Sequence, residues 1–211
     1  MLDRGVALST RIENAAVGRE PASTRGSARQ RIIESSYPLF ASRGVRDVSI
    51  DEVIEASEVA KATLYRYFPS KDDLVLAFLA YREQVWTFGT VEAGARSRAT
   101  TPEETLLAIF DVFDEWFQRD DFEACSFINV MLELGTGHPV GRASGEYLAN
   151  IRTLVEQLAT EAGIPRPAEF ALSWHILMKG SIVQASEGDR QSAKRARSMA
   201  RALIQQFRNA G

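Results

Sequence analysis

Residues 57–68 read SEVAKATLYRYF, placing Lys61, Thr63, Tyr65, Arg66 and Tyr67 along two turns of predicted helix. A helix turns once in about 3.6 residues, so so short a segment cannot turn all of these side chains into a core. Leu64 and Phe68, four apart, share one side and suit core packing, which leaves the polar and aromatic tips facing outward. Upstream, Ser49 with Glu52 three residues later forms a capping-box signature, and Val53 and Ile54 supply the inward face of a short helix ending by Ser57. Two short helices joined by the turn Ser57-Glu58-Val59 follow from this pattern.

Order is expected to begin near Ala28. Ile32, Ile33, Tyr37, Leu39 and Phe40 make an apolar stripe of near-helical spacing, and Gly44 stands where a helix C-cap would. Pro38 interrupts the stripe, removing a donor and crowding the preceding turn, which predicts a kink or a helix that restarts after it. Residues 1–27 carry Gly, Ser, Thr and Pro without apolar periodicity and read as a disordered tail.

After residue 68 the signals remain helical. Ser70 with Asp73 is a second capping box, opening a long helix that fades in EAGARSRAT. Thr101-Pro102-Glu103-Glu104 is the clearest start in the chain, and Leu106, Ile109, Phe110, Phe113, Trp116 and Phe117 then fall at steps of three and four. On that helix Glu103, Asp111, Asp114 and Glu115 are expected to face mostly water. Further helices are expected over 123–135, 139–162, 167–187 and 190–208, and period-two alternation is missing. The expected class is all-α with about nine helices.

Helix, tight turn and a second helix with a polar outward face is the layout of a helix-turn-helix DNA reader. Lys61 suits guanine acceptors, Thr63 bases or phosphate, Tyr65 and Tyr67 offer hydroxyl donors, and Lys71 lies near a phosphate path. The DNA-facing set is Arg29, Ser49, Lys61, Ala62, Thr63, Tyr65, Arg66, Tyr67 and Lys71. Charge distribution is compatible: residues 11–46 hold seven arginines against Glu13, Glu20 and Glu34, although the whole 211-residue chain carries −3. A solvated charged face explains that run equally well.

Residues 29–71, RQRIIESSYPLFASRGVRDVSIDEVIEASEVAKATLYRYFPSK, resemble the DNA-binding domain of the TetR family of transcriptional regulators, closely in the T-L-Y-x-x-F-x-x-K core. CSFINVMLEL at 125–134, followed by His138-Pro139, is similar to a pattern in one group of these regulators. The resemblance implies a three-helix DNA-binding domain over 28–73 and a helical ligand-binding and dimerising domain over 74–211. The chain departs from the family at Glu58, where glycine is usual, at Ala60, where serine is usual, and at Ala62, often glycine. A positive φ at Glu58 would cost on the order of 1 kcal/mol, and Ala60 forgoes a hydroxyl cap worth roughly 1 kcal/mol.

An internal pocket, as the resemblance implies, would be walled by Trp86, Phe110, Phe113, Trp116, Phe117, Trp174 and Met178, with Asn129, His175 and Gln184 as polar candidates to orient an apolar or aromatic effector. Each aromatic taken singly is better read as core. His138 before Pro139 reads as a helix-start feature. The last two helices carry stripes, Phe170, Ala171, Trp174, Leu177, Met178, Ser181 and Ala193, Ala196, Met199, Ala200, Leu203, Ile204, Phe207, that suit the family's homodimer interface.

Other classes fit less well. Cys125, the single cysteine, rules out an intramolecular disulfide framework, and as a nucleophile beside His138 it lacks an orienting third group and an oxyanion site. No cofactor or metal is implied, and the reading is of a non-enzyme. The N-terminal stretch lacks the apolar region of a signal peptide and the chain lacks a run of about 20 apolar residues, so a cytoplasmic location without membrane contact is expected. The competing reading, motivated by Glu58 and Ala60, is a helical small-molecule-binding protein whose head no longer reads DNA.

Overall fold

The computed structural model describes residues 27–210, so the tail expected over 1–27 lies, apart from Ser27, outside the described residues. Among the described residues the structure is all helical, in ten α-helices and one π-helical segment. The first three are α1 (Ala28–Arg43), α2 (Ile50–Ser57) and α3 (Lys61–Tyr67). Then come α4 (Lys71–Arg82), the π segment (Glu83–Glu92) and α5 (Ala93–Ser97), which run on as one rod. The rest are α6 (Pro102–Phe117), α7 (Ser126–Leu134), α8 (Pro139–Glu161), α9 (Pro167–Ser186) and α10 (Ser192–Asn209). Counting the α4–α5 rod once gives the nine helices that the sequence predicts.

Local signals account for the boundaries. Ser27 caps α1 by accepting the Gln30 N–H, and both capping boxes read from the sequence are formed, Ser49 with Glu52 and Ser70 with Asp73. Thr101 and Glu104 form a third, with Pro102 at the first helical position. Glu52's carboxyl is held down to about 2, first by the Ser49 backbone N–H and then by Arg43. Of the two outcomes expected at Pro38, the restart does not occur: α1 runs through it as one helix. The Ser42 hydroxyl donates to the Pro38 carbonyl, one turn back, at 2.7 Å.

Ile32, Phe40, Val48, Val53, Leu64 and Phe68 close the small core of the first three helices. That core continues into α4 through rings, with Tyr37 and Phe40 each against Phe78 at 5.5 and 5.4 Å. In the larger helical body α6 is central, burying Leu106, Ile109, Phe110, Phe113 and Phe117 against α8, α9 and α10. Close approach is built in at Gly141, where an added Cβ would lie 2.1 Å from the Gly135 carbonyl oxygen. The expectation that the acidic side of α6 faces mostly water needs correction. Asp114 pairs with Lys194, Asp111 with Arg197 and Glu103 with Arg208 at 3.5, 2.9 and 2.6 Å, because the basic side of α10 lies along it. Glu115 does stay exposed, paired with Arg98.

The turn between α2 and α3 is made by Glu58 at φ 52°, ψ 39°, left-handed geometry that normally selects glycine. Glu58→Gly should therefore raise the free energy of unfolding by roughly 0.5–1 kcal/mol, left-handed strain relieved less glycine's added chain entropy. Urea denaturation beside wild type measures it, and a lower midpoint would mean that the glutamate side chain holds the turn.

Candidate DNA interface and sensor cavity

Leu64 is fully buried and Phe68 nearly so, which turns the opposite side of α3 outward. Lys61, Ala62, Tyr65 and Arg66 are exposed there, with Thr63 and Tyr67 half-buried beside them. Ala60 stands at the N-cap without a side-chain bond, so the first turn of α3 lacks a hydroxyl partner. Lys61 Nζ donates to Asp51 Oδ1 at 3.1 Å, a contact that raises the lysine's pKa and that a phosphate or base would have to displace. Arg66 lies over the Tyr67 ring at 5.0 Å, and Arg29 over Phe68 at 5.4 Å. Lys71 is half-buried, its Nζ 3.4 Å from the Arg46 carbonyl oxygen. Ser49 differs in kind: its hydroxyl donates to Glu52, and with its only proton so engaged it can offer a DNA phosphate nothing without leaving the cap.

A carboxylate joins this head to the body behind it. Glu133, on α7, accepts the backbone N–H of Val45 at 3.0 Å and of Arg46 at 2.5 Å in the α1–α2 loop. Gly44 precedes them at φ 83°, and a Cβ there would sit 3.1 Å from Glu133 Oε2. A second link runs from His138 Nε2 to Asp72 Oδ2 at 3.5 Å. His138 is the N-cap of α8, as its position before Pro139 predicts.

Among the residues expected to wall a pocket, Trp86, Phe113, His175 and Met178 line one enclosed cavity between the π segment, α6, α8 and α9. Its volume is only about 30 Å³, room for a single water. Phe110, Phe117 and Trp174 do not line it; they pack in the core, Phe110 on Trp174 at 5.3 Å. Trp116 faces an outer cleft, in contact with Trp86 at 4.3 Å. Asn129 is exposed on α7, and Gln184 is exposed and bonded to Glu187 at 2.9 Å. Neither reaches the cavity, since each falls on the outward side of its helix.

Polar groups that the sequence reading did not assign to a pocket do reach the cavity. Thr87 is buried and its hydroxyl has no partner, Lys179 lies one turn after His175, and Cys125 completes the rim. Burial pushes the Cys125 thiol up, away from nucleophilic use. The i, i+4 pairs Thr87/Val91 and His175/Lys179 were the available signal, overshadowed by the aromatics.

The comparisons with known proteins agree with this geometry. Residues 32–78 match the family model described as bacterial regulatory proteins, tetR family. The chain is 40% identical over 50 residues to an uncharacterized HTH-type transcriptional regulator, YuxN, of Bacillus subtilis, covering 24% of this chain and 17% of that one. It is 31% identical over 115 residues to the HTH-type transcriptional repressor KstR of Rhodococcus jostii, covering 53% of this chain and 52% of that one. The matches thus span about a sixth and about half of these curated relatives. The crystal structure of a TetR-family transcriptional regulator from Streptomyces coelicolor shares the fold with a TM-score of 0.77, at 24% identity over 85% of this chain and 95% of that one. The fold is that of the solved regulator, and the head has the helix-turn-helix layout. Over residues 32–78, from α1 into α4, the chain is similar to the tetR family of bacterial regulatory proteins.

Burial holds the His175 imidazole down to about 3 from 6.5, with Lys179 and Arg152 adding to the effect. The unfolded chain therefore takes up a proton below 6.5 that the folded chain refuses until about 3. Stability is whole above that window and falls as pH drops through it. Urea midpoints at pH 7 and pH 5 should show the loss in wild type and a smaller one in His175→Gln; equal losses would contradict it.

Proposed function

We propose that the protein is a homodimeric, ligand-responsive repressor with a DNA-reading head over 28–73 and a sensor and dimerisation domain over 74–211, working in the cytoplasm. The single observation that carries the reading is α3, whose Lys61, Tyr65 and Arg66 stand exposed over a fully buried Leu64. In a dimer two such helices would enter successive major grooves about 34–36 Å apart on a pseudo-palindromic operator. Ser49 helps by capping α2. The repressor role follows KstR, an HTH-type transcriptional repressor.

Dimerisation is supported by apolar residues on α9 and α10 that the single chain leaves uncovered. Leu172, Ile176 and Val183 on α9 and Met199 on α10 are exposed, Ile176 at 71%, with Gly180 among them. This face shares Met199 with the stripes read from sequence but is otherwise a different one. Phe170, Trp174, Met178, Ser181 and Ile204 are buried within one chain, because α9 and α10 spend that side on α6 and on each other.

The effector reading concerns the cavity beside Trp86, Phe113, His175 and Met178. A largely apolar or aromatic molecule would have to open it, moving α7 or the π segment, and through Glu133 or α4 the head. Induction then needs an effector that binds the released pose better than the DNA-bound one. Residues 71–90 are the lever in this scheme.

A titration of purified protein against its own upstream DNA at two salt concentrations tests the reading. Wild type should bind specifically, and its log affinity should fall with log salt at a slope near −0.9 per phosphate contact. Tyr65→Ala should lose preference over random DNA, whereas Lys71→Ala should weaken all sequences alike. Absence of any preference in wild type would instead favour a ligand-binding protein whose head no longer reads DNA.

A further inference from the structure

A cleft of about 510 Å³ opens between α1, the junction of α4 with the π segment, and the loop after α6. It is separate from the enclosed cavity, with Trp86 as a shared wall. Arg82 lies in it at only 6% exposure. Its guanidinium is stacked on two rings, Trp86 at 4.7 Å and Tyr37 at 5.4 Å, yet makes no hydrogen bond or ion pair with any described residue. Five N–H donors in a fixed fork require acceptors, and a buried cation without them is costly. Burial draws it down to about 10, so it is still a cation at neutral pH.

Of the charged groups facing it, all but Glu123 are engaged elsewhere. Asp121 is taken by Arg119 in a two-bond pair of 2.7 and 2.6 Å. Glu34, on the exposed lip of α1, accepts from Gln30 at 2.9 Å. Glu123, partly buried, faces Arg82 without an ion pair, and desolvation raises its carboxyl. The remaining wall is mostly aromatic, Tyr37, Tyr81, Trp86 and Trp116, joined by Pro38, Val85 and Thr90.

We propose that this cleft binds an organic anion with a planar apolar body, its carboxylate taken by the Arg82 fork and its body by the rings of Tyr37, Trp86 and Trp116. Carboxylate and guanidinium match in bidentate geometry, and the charge-assisted bonds form where little water competes. An occupant would touch α1 of the head and the rod behind it together, making it a second effector position. That regulatory consequence rests on the proposed function above; the site itself does not.

Calorimetric titration of the DNA-free protein with 1-naphthoate, and with 1-naphthalenemethanol as the neutral counterpart, tests the site apart from operator reading. The anion should saturate one site per chain and bind at least about tenfold tighter than the alcohol. Arg82→Gln should lose that preference, and Glu123→Gln, which removes the one competing carboxylate, should tighten naphthoate. If Arg82→Gln does not fold, the ligand pair on wild type and Glu123→Gln still decide. Equal binding of anion and alcohol, or no saturable naphthoate binding at millimolar probe, would overturn the proposal.

Discussion

One carboxylate, Glu133, ties the α1–α2 loop of the head to α7. It accepts two consecutive backbone N–H groups from the loop between α1 and α2, donors left over when α1 ends at Gly44. Charged acceptors on backbone N–H groups are among the stronger hydrogen bonds, and two from one carboxylate fix orientation as well as distance. Gly44 lets the carboxylate approach, because a side chain there would crowd Glu133 Oε2. The aromatic contacts of Tyr37 and Phe40 with Phe78 add area, but rings slide more readily than a two-point bond. With α7 bearing Glu133 at one end and Phe127 and Ile128 on the cavity, a displacement of α7 is one that the head must feel.

The neighbourhood of α3 trades stability for a tight turn. Glu58 takes a left-handed conformation without a glycine's freedom, and Ala60 starts the helix without a hydroxyl cap. These two positions together withhold on the order of 2 kcal/mol from α3. Lys61, meanwhile, is kept occupied by Asp51. A head of this kind would depend on the body behind it for its pose, which is what the Glu133 contact supplies.

Much of the fold was legible because helices announce their ends. Ser49 with Glu52, Ser70 with Asp73 and Thr101-Pro102 with Glu104 are local signals, and all three form as read. The match of T-L-Y-x-x-F identified α3 and its outward side. What sequence could not show was which side of a helix meets which neighbour. The acids of α6 pair with α10, and the stripes of α9 and α10 are spent inside one chain, since both outcomes depend on helix crossings far apart in sequence. The cavity was misjudged for the same reason: Asn129 has the right chemistry on the wrong side of α7. Arg82 and Trp86 stand four apart, a legible pair, but Tyr37 joins them only through the packing of α1 on α4.

Hydrogen exchange at the amides of Val45 and Arg46 tests most directly whether Glu133 sets the pose of the head. In wild type both amides should be protected, and in Glu133→Ala both should exchange at least about tenfold faster while the amides of α6 keep their protection. Unchanged protection at Val45 and Arg46 in the variant would contradict the account, and the coupling between head and body would then lie in the α1–α4 rings.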